Sequence, residues 1–555
     1  MLPKPRYVDT FLLTFFVIII TFNPYYLFGQ LNLFELGIYL PGISAVLDGQ
    51  IPFRDFFYLR GPFELYMPAF VMNMFGEDVA MLAGWFYFGT VLTLILYTLA
   101  GRKIYQTRLI YYLMVPVLVA RTFPRVVYTF WGGMRFALGI LVVLFLIEYL
   151  RGRKQRWLIL SGIFSAIALL TSIDVGFCTV AAGVGTFALM AYLQKSVRTE
   201  YIQSMKVYIF ALIIPLGIYA MYLSLHQALI PYLENVYIVS TQMTKVFKVQ
   251  LGSEVPDTLL SALGALFNPV GPHFKHMTPV YCYLFFAMYF VYKHRKKEGQ
   301  KRLIFCIPLF FYGLILYVLA FRNIEAAQFE MALQPEKLLL FFLLEQVFLH
   351  FRTWKQKHTT AHIRRLAINF LILALVMSSL GYAWTRYSRR FFTFQYVKAK
   401  ITGKDTVQLN PLAGRPADIL ILQRAGGVVV PSAQAEDIQG VQQYLSSQIY
   451  ENERFTAFGE LASYHFLLDR PAVGRFSMSI FAWLDDDWHR EYMAQLEKNK
   501  PKFVIQHREL PPWFEDIYFQ YPPNRVKFQQ EQNFVAQYYE KVLETPSLEV
   551  YKLLK

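Results

Sequence analysis

The chain is built around a series of apolar runs, each roughly 20 residues long, which is the length a helix needs to cross a bilayer. They fall near 10–28, 78–100, 109–121, 134–150, 157–172, 177–194, 207–225, 279–292, 303–321, 337–350 and 366–383. A soluble chain of 555 residues would normally carry more charge than the 17% found here, with 55% hydrophobic residues. The fold class expected is a mostly α polytopic membrane protein of about 11 transmembrane helices.

The breaks between runs set an orientation. "GRKIYQTR", "RGRKQR", "QKSVRTEYIQSMK", "YKHRKKEGQKR" and "RTWKQKHTTAHIRR" are dense in Lys and Arg and belong on the cytoplasmic side. The net charge of +16 is read the same way, so no nucleic-acid partner is expected; no recognition motif accompanies it. Lys4 and Arg6 precede the first run, and no small-residue cleavage site follows it, so the first helix is expected to be retained. The N-terminus is then cytoplasmic. The segments 29–77, 122–133, 172–176, 226–278, 322–336 and everything after about 385 lie outside.

Two parts of the outer set have structure of their own. Leu36, Tyr39, Ile43, Val46 and Leu47 recur at helical spacing and predict an amphipathic helix along the membrane interface. "FELYMPAFVMNMF" after Pro62 predicts a second interfacial or re-entrant piece. From about 385 the composition changes. "ADILILQRAGGVVV", "RFTAFGE", "KFVIQHR" and "LEVYKLL" read as strands, with "AEDIQGVQQYLSSQ" and "DDDWHREYMAQLEKN" as helices between them. This divides the chain into a transmembrane part, 1–385, and a C-terminal extracytoplasmic α/β domain, 386–555.

Cys178, Cys282 and Cys306 all lie in apolar runs and have neither disulfide-framework nor metal spacing. Asp485, Asp486 and Asp487 form an Asp-x-Asp, but the helical sequence behind them favours a helix start over a metal site. The paired glycines of "QRAGGVVV" lack the dinucleotide spacing and read as a turn.

The stretch "ELGIYLPGISAVLDGQIPFRDFFYLRGP", Glu35 to Pro62, places two Arg, two Asp and a Glu directly after the first apolar run. It resembles the first outer loop of the polyprenyl-phosphate-sugar glycosyltransferases of the GT-C fold, the protein O-mannosyltransferase-like and aminoarabinose transferase-like groups. The resemblance rests on Gly37, Tyr39, Gly49, Gln50, Pro52, Arg54, Asp55, Phe56, Gly61 and Pro62. "YHFLLDRPAVGRF" and "KPKFVI" resemble the family's C-terminal segments. Aligned on Gly37, Glu35 stands at the family's catalytic Asp, and Leu36 replaces a second acid.

The resemblance implies transfer of a sugar from a polyprenyl-phosphate donor to a glycan, lipid or protein acceptor outside the cytoplasm, in contact with membrane lipids. It implies inversion and no required cofactor, with room for a divalent cation at the acidic loop. Such a reaction needs a carboxylate to take the acceptor proton and a cation to stabilise the departing phosphate. Glu35 is the expected base. Asp55 is a second site acid, or else a partner of Arg54 or Arg60. Asp174, in "TSIDVG" beside hydrocarbon, is the third, with a helix-start role as the alternative. Arg54, Arg60, Arg125 and Arg322 are the expected phosphate or substrate contacts. Two other readings stay open: a transporter or flippase of lipid-linked glycans, and a non-catalytic GT-C-like envelope protein.

Overall fold

The computed structural model describes residues 4–122, 133–246, 259–268, 270–271, 274–296, 300–320, 326–357, 362–450, 453–459, 461–477 and 483–554. In chain order the helices of the first half are α1 (Tyr7–Thr21), α2 (Leu33–Leu47), α3 (Phe63–Phe75), α4 (Val79–Ile104), α5 (Arg108–Thr122), α6 (Met134–Gly152), α7 (Gln155–Thr171), α8 (Ile173–Leu193) and α9 (Arg198–Leu225). They continue with α10 (Leu229–Val246), α11 (Leu259–Leu266), α12 (Phe274–Arg295), α13 (Gln300–Ala320), α14 (Ala326–Lys357), α15 (His362–Arg390) and α16 (Phe392–Ile401). The C-terminal region adds α17 (Ser432–Ser446), α18 (Ser463–Leu467), α19 (Asp486–Lys498), α20 (Pro512–Tyr518) and α21 (Pro522–Tyr538). Each of the apolar runs coincides with a helix. Among the described residues, four helical stretches reach both the length and the hydropathy of a span: Val79–Ile104, Ile173–Leu193, Lys195–Leu225 and Arg302–Ala320. The protein is a multi-pass membrane protein.

The chain forms two compact units. The first comprises Met1–Asn23, Phe86–Leu216 and Leu251–Leu409. Helices pack closely here where side chains are small. At Gly162 and Gly183, on α7 and α8, an added Cβ would lie 2.6 Å from the Tyr208 carbonyl oxygen and 2.4 Å from the Tyr208 ring. Tyr208 of α9 therefore fits into the space both glycines leave, and its hydroxyl bonds Ser165 Oγ at 2.7 Å and the Thr179 carbonyl at 3.1 Å. Small residues that let backbones approach, with hydroxyls bonded across helices, are the usual solution inside a bilayer. Glu345 of α14 is buried and caps the start of α5, accepting from the Thr107 N–H at 2.7 Å and its hydroxyl at 2.8 Å.

The second unit comprises Pro24–Trp85, Gly217–Gln250 and Asn410–Lys555. Its strands are β1 (Ala417–Ile419), β2 (Val429–Pro431), β3 (Phe455–Ala457), β4 (Phe503–His507), β5 (Tyr539–Glu544) and β6 (Leu548–Leu553). β1 and β2 pair antiparallel; the larger sheet runs β3-β4-β6-β5, with only β3 and β4 parallel. β4 is buried over Phe503–Gln506, as a central strand covered on both faces should be. Asp437 of α17 ties down the β5–β6 turn, accepting from Thr545 Oγ1 at 2.6 Å and the Ser547 N–H at 2.9 Å. The segment 24–85 is stitched into this unit. Gly29 N–H donates to the Val429 carbonyl, and Val429 N–H to the Leu27 carbonyl, each at 3.0 Å.

α2 forms where the sequence predicts a helix, but its burial differs from an interfacial one. Every residue from Glu35 to Ile43 is buried, so the apolar positions do not define one wet and one dry face. The reason is packing on several sides. An added Cβ on Gly37 would meet Ser463 N at 3.0 Å and Ala462 Cβ at 3.1 Å; one on Gly42 would meet Leu65 at 3.1 Å. α19 opens as the acidic run predicts: Asp485 is its N-cap and accepts from the Trp488 N–H at 2.9 Å.

Candidate active site

Asn32 starts α2 by accepting a hydrogen bond from the Glu35 N–H at 3.1 Å. This sets Glu35 in the first turn, where the positive end of the helix dipole favours a carboxylate. Glu35 is only 2% exposed, and Leu36 beside it is 1% exposed. The position at which the resemblance expects a second acid is thus filled by a packed side chain. Asp48 and Gly49 end the helix, Gly49 at φ +80°.

The following loop is held in place along its length. Asp55 accepts from the Ile51 N–H at 2.8 Å and pairs with Arg54 at 2.7 Å. That pairing, the alternative raised for Asp55 above, holds its carboxyl below the usual range, with the Arg54 hydrogen bond the largest influence. Arg54 also donates to the His226 carbonyl at 2.9 Å. Phe57 N–H donates to the Arg475 carbonyl at 2.7 Å, and the Tyr58 carbonyl accepts from Asn235 Nδ2 at 2.8 Å. Arg475 is itself braced by Glu491 at 2.7 and 2.5 Å and lies over the Trp488 ring.

Arg60 closes the loop just before α3. Its Nη1 donates to the Tyr39 hydroxyl and lies 3.4 Å from Glu64 Oε2. The Arg60 and Glu64 side chains are 13% and 7% exposed, and Tyr39 and Tyr58 are buried. Burial works against the guanidinium charge, but Tyr39, Glu64, Glu35 and Tyr58 outweigh it and raise the Arg60 pKa. Arg60 is thus a buried cation in contact with Tyr39 and Glu64, and Glu35 and Tyr58 add to the field that favours its charge. These side chains can bind an anion and move a proton.

Asp174 stands in the first turn of α8, behind Ser172 at the N-cap, in the first unit. Arg125 and Arg322 lie outside the described residues. Among the described residues no group of three or more His, Cys, Asp and Glu is arranged to hold a metal ion. Glu64, Asn235 and Arg475 were not singled out from the sequence. Glu64 had a signal, standing four residues after Arg60 at a helix start; the other two act over 177 residues and more.

No family model matches the chain, and no curated protein matches its sequence. Its fold does match solved structures. The crystal structure of ArnT from Cupriavidus metallidurans bound to undecaprenyl phosphate aligns with a TM-score of 0.54 at 11% identity, over 98% of this chain and 97% of that one. The apo state of that ArnT aligns over the same shares at 12% identity, with a TM-score of 0.47. The fold is the GT-C fold that the first-loop residues implied.

Proposed function

We propose that this protein is an integral membrane glycosyltransferase that moves a sugar from a polyprenyl-phosphate donor to an acceptor outside the cytoplasm. One observation carries the reading: the buried Arg60, held by Tyr39 and Glu64, in the same loop region as the buried Glu35. It lies in a chain with the fold of a protein crystallised with undecaprenyl phosphate. On this reading the protein crosses the membrane about 11 times within 1–385, its N-terminus is cytoplasmic, and 386–555 folds outside together with the first loop.

Glu35 is the base that takes the acceptor's proton as the acceptor oxygen attacks the anomeric carbon. The attack comes opposite the phosphate, so the configuration inverts. Arg60 stabilises the departing lipid phosphate, a charge-assisted interaction strengthened by exclusion of water. Arg54 is a second cation on the loop, and its bidentate pairing makes Asp55 the residue that orients it. Asp174, Arg125 and Arg322 are kept as proposed site residues on the sequence reading alone. The reaction as proposed requires no cofactor and leaves room for a divalent cation at the acidic loop.

The test is transfer from a panel of radiolabelled polyprenyl-phosphate sugars to cell-envelope acceptors in membranes carrying the full chain. Transfer from one donor above the level of membranes without the protein supports the reading. Saturable donor binding with no transfer from any of the panel would overturn it in favour of the non-catalytic one.

A further inference from the structure

At the mouth of α3 a buried guanidinium, Arg60, stands in ionic contact with a buried carboxyl, Glu64. Glu35 and Glu64 both favour the charged form of Arg60, and Glu64 Oε2 lies 3.4 Å from its Nη1. Local sequence dictates this contact. Gly61 and Pro62 start α3 at once, with the Glu64 N–H donating to the Gly61 carbonyl at 3.1 Å. Arg60 and Glu64 are then four residues apart at the mouth of one helix, within reach of each other. At 3.4 Å the contact is longer than the 2.7–2.9 Å or so of a strong charge-assisted bond. Tyr39 holds the same nitrogen from α2.

We infer that Glu64 is the resident counter-ion of Arg60, a positioning residue that competes with the lipid phosphate for the guanidinium. This rests on the proposed function and deepens it. A buried cation is costly to keep charged without an anion beside it, and Glu64 supplies one to Arg60. An incoming phosphate brings a second anion to the same guanidinium, whose planar fork suits phosphate oxygens. Glu64 then opposes the ligand it helps to prepare for. Two like charges a few ångströms apart in a buried setting repel by enough to change affinity by an order of magnitude. Glu64 thus keeps the hold on phosphate loose, which suits a site that must release its lipid phosphate after each turnover.

The experiment is titration of the purified full chain in nanodiscs with undecaprenyl phosphate, and with uncharged undecaprenol as the control. Glu64→Gln is expected to bind the phosphate roughly tenfold more tightly than wild type, with undecaprenol binding unchanged. Glu64→Asp, one methylene shorter, should tighten phosphate binding by less, and serves if the Gln variant does not fold. Thermal unfolding establishes that each variant is intact. A merely structural role would leave phosphate affinity unchanged or weaken it, and either result in a folded variant overturns the inference. Wild type that shows no saturable binding of undecaprenyl phosphate overturns the functional reading itself. Binding by wild type that Arg60→Gln abolishes, with no effect of Glu64→Gln, overturns the counter-ion role alone.

Discussion

The Asn235 side chain donates to a buried carbonyl, that of Tyr58, only two residues from Arg60. Asn235→Ala leaves the Tyr58 carbonyl without that donor, and an unsatisfied buried acceptor costs about 1–3 kcal/mol. Thermal unfolding of the variant should show a corresponding loss, which an unchanged midpoint would refute. His489 and Glu531 give the C-terminal region a pH dependence. Burial, helped by Lys527, holds the His489 imidazole at about 4, against 6.5 for an ordinary histidine. The folded form stays neutral while the unfolded chain takes a proton. Stability is therefore complete above about pH 6.5 and is lost as the pH falls toward 4. Glu531 is fully buried, and burial pushes its carboxyl well up. Neither of its oxygens has a hydrogen-bond partner among the described residues, and His489 Nε2 is 4.0 Å away. The unfolded chain ionises this residue near 4.5, so its contribution runs the other way and falls as pH rises above that value. Glu531→Met should raise the unfolding temperature at pH 8 and have a smaller effect at pH 5. Equal shifts at the two values would contradict the burial argument.

At the scale of elements, α2 depends on the short α18. Gly37→Ala places a methyl group 3.0 Å from the Ser463 backbone nitrogen, where no flexible side chain can yield. Overpacking of this kind costs about 1–3 kcal/mol, so the midpoint of unfolding should fall accordingly. The helices of the first unit were legible because span length and apolar content are repeated many times over in the sequence. β1, β2, β3, β4 and β6 were legible from short β-rich runs. β5, "YEKVLE", was not, since it is charged and follows directly on α21, whose own polar sequence has little apolar periodicity. In the candidate site, Glu35 and Arg60 could be found from the charge after the first run. Their mutual environment could not, because it depends on how α2 and α3 fold back on one another. The amphipathic reading of α2 failed for a related reason: a pattern of apolar positions does not reveal that Gly37 and Gly42 admit neighbours on further faces.

For the whole molecule, the Lys- and Arg-dense breaks predict a cytoplasmic N-terminus and an extracytoplasmic C-terminus. A reporter enzyme active only outside the cytoplasm should work when fused after Lys555 and fail when fused after the break at 293–302. The opposite result would invert the orientation and place Glu35 on the wrong side for the proposed chemistry. The central claim is that a carboxylate at the head of α2 acts as the base in sugar transfer from a lipid phosphate. The measurement that tests it most directly is the transfer rate of Glu35→Gln beside wild type, with donor binding measured on the same preparations. The account predicts a rate lower by roughly a hundredfold or more, the scale of lost general-base catalysis, with the donor still bound. A Glu35→Gln protein that transfers sugar at the wild-type rate would contradict it.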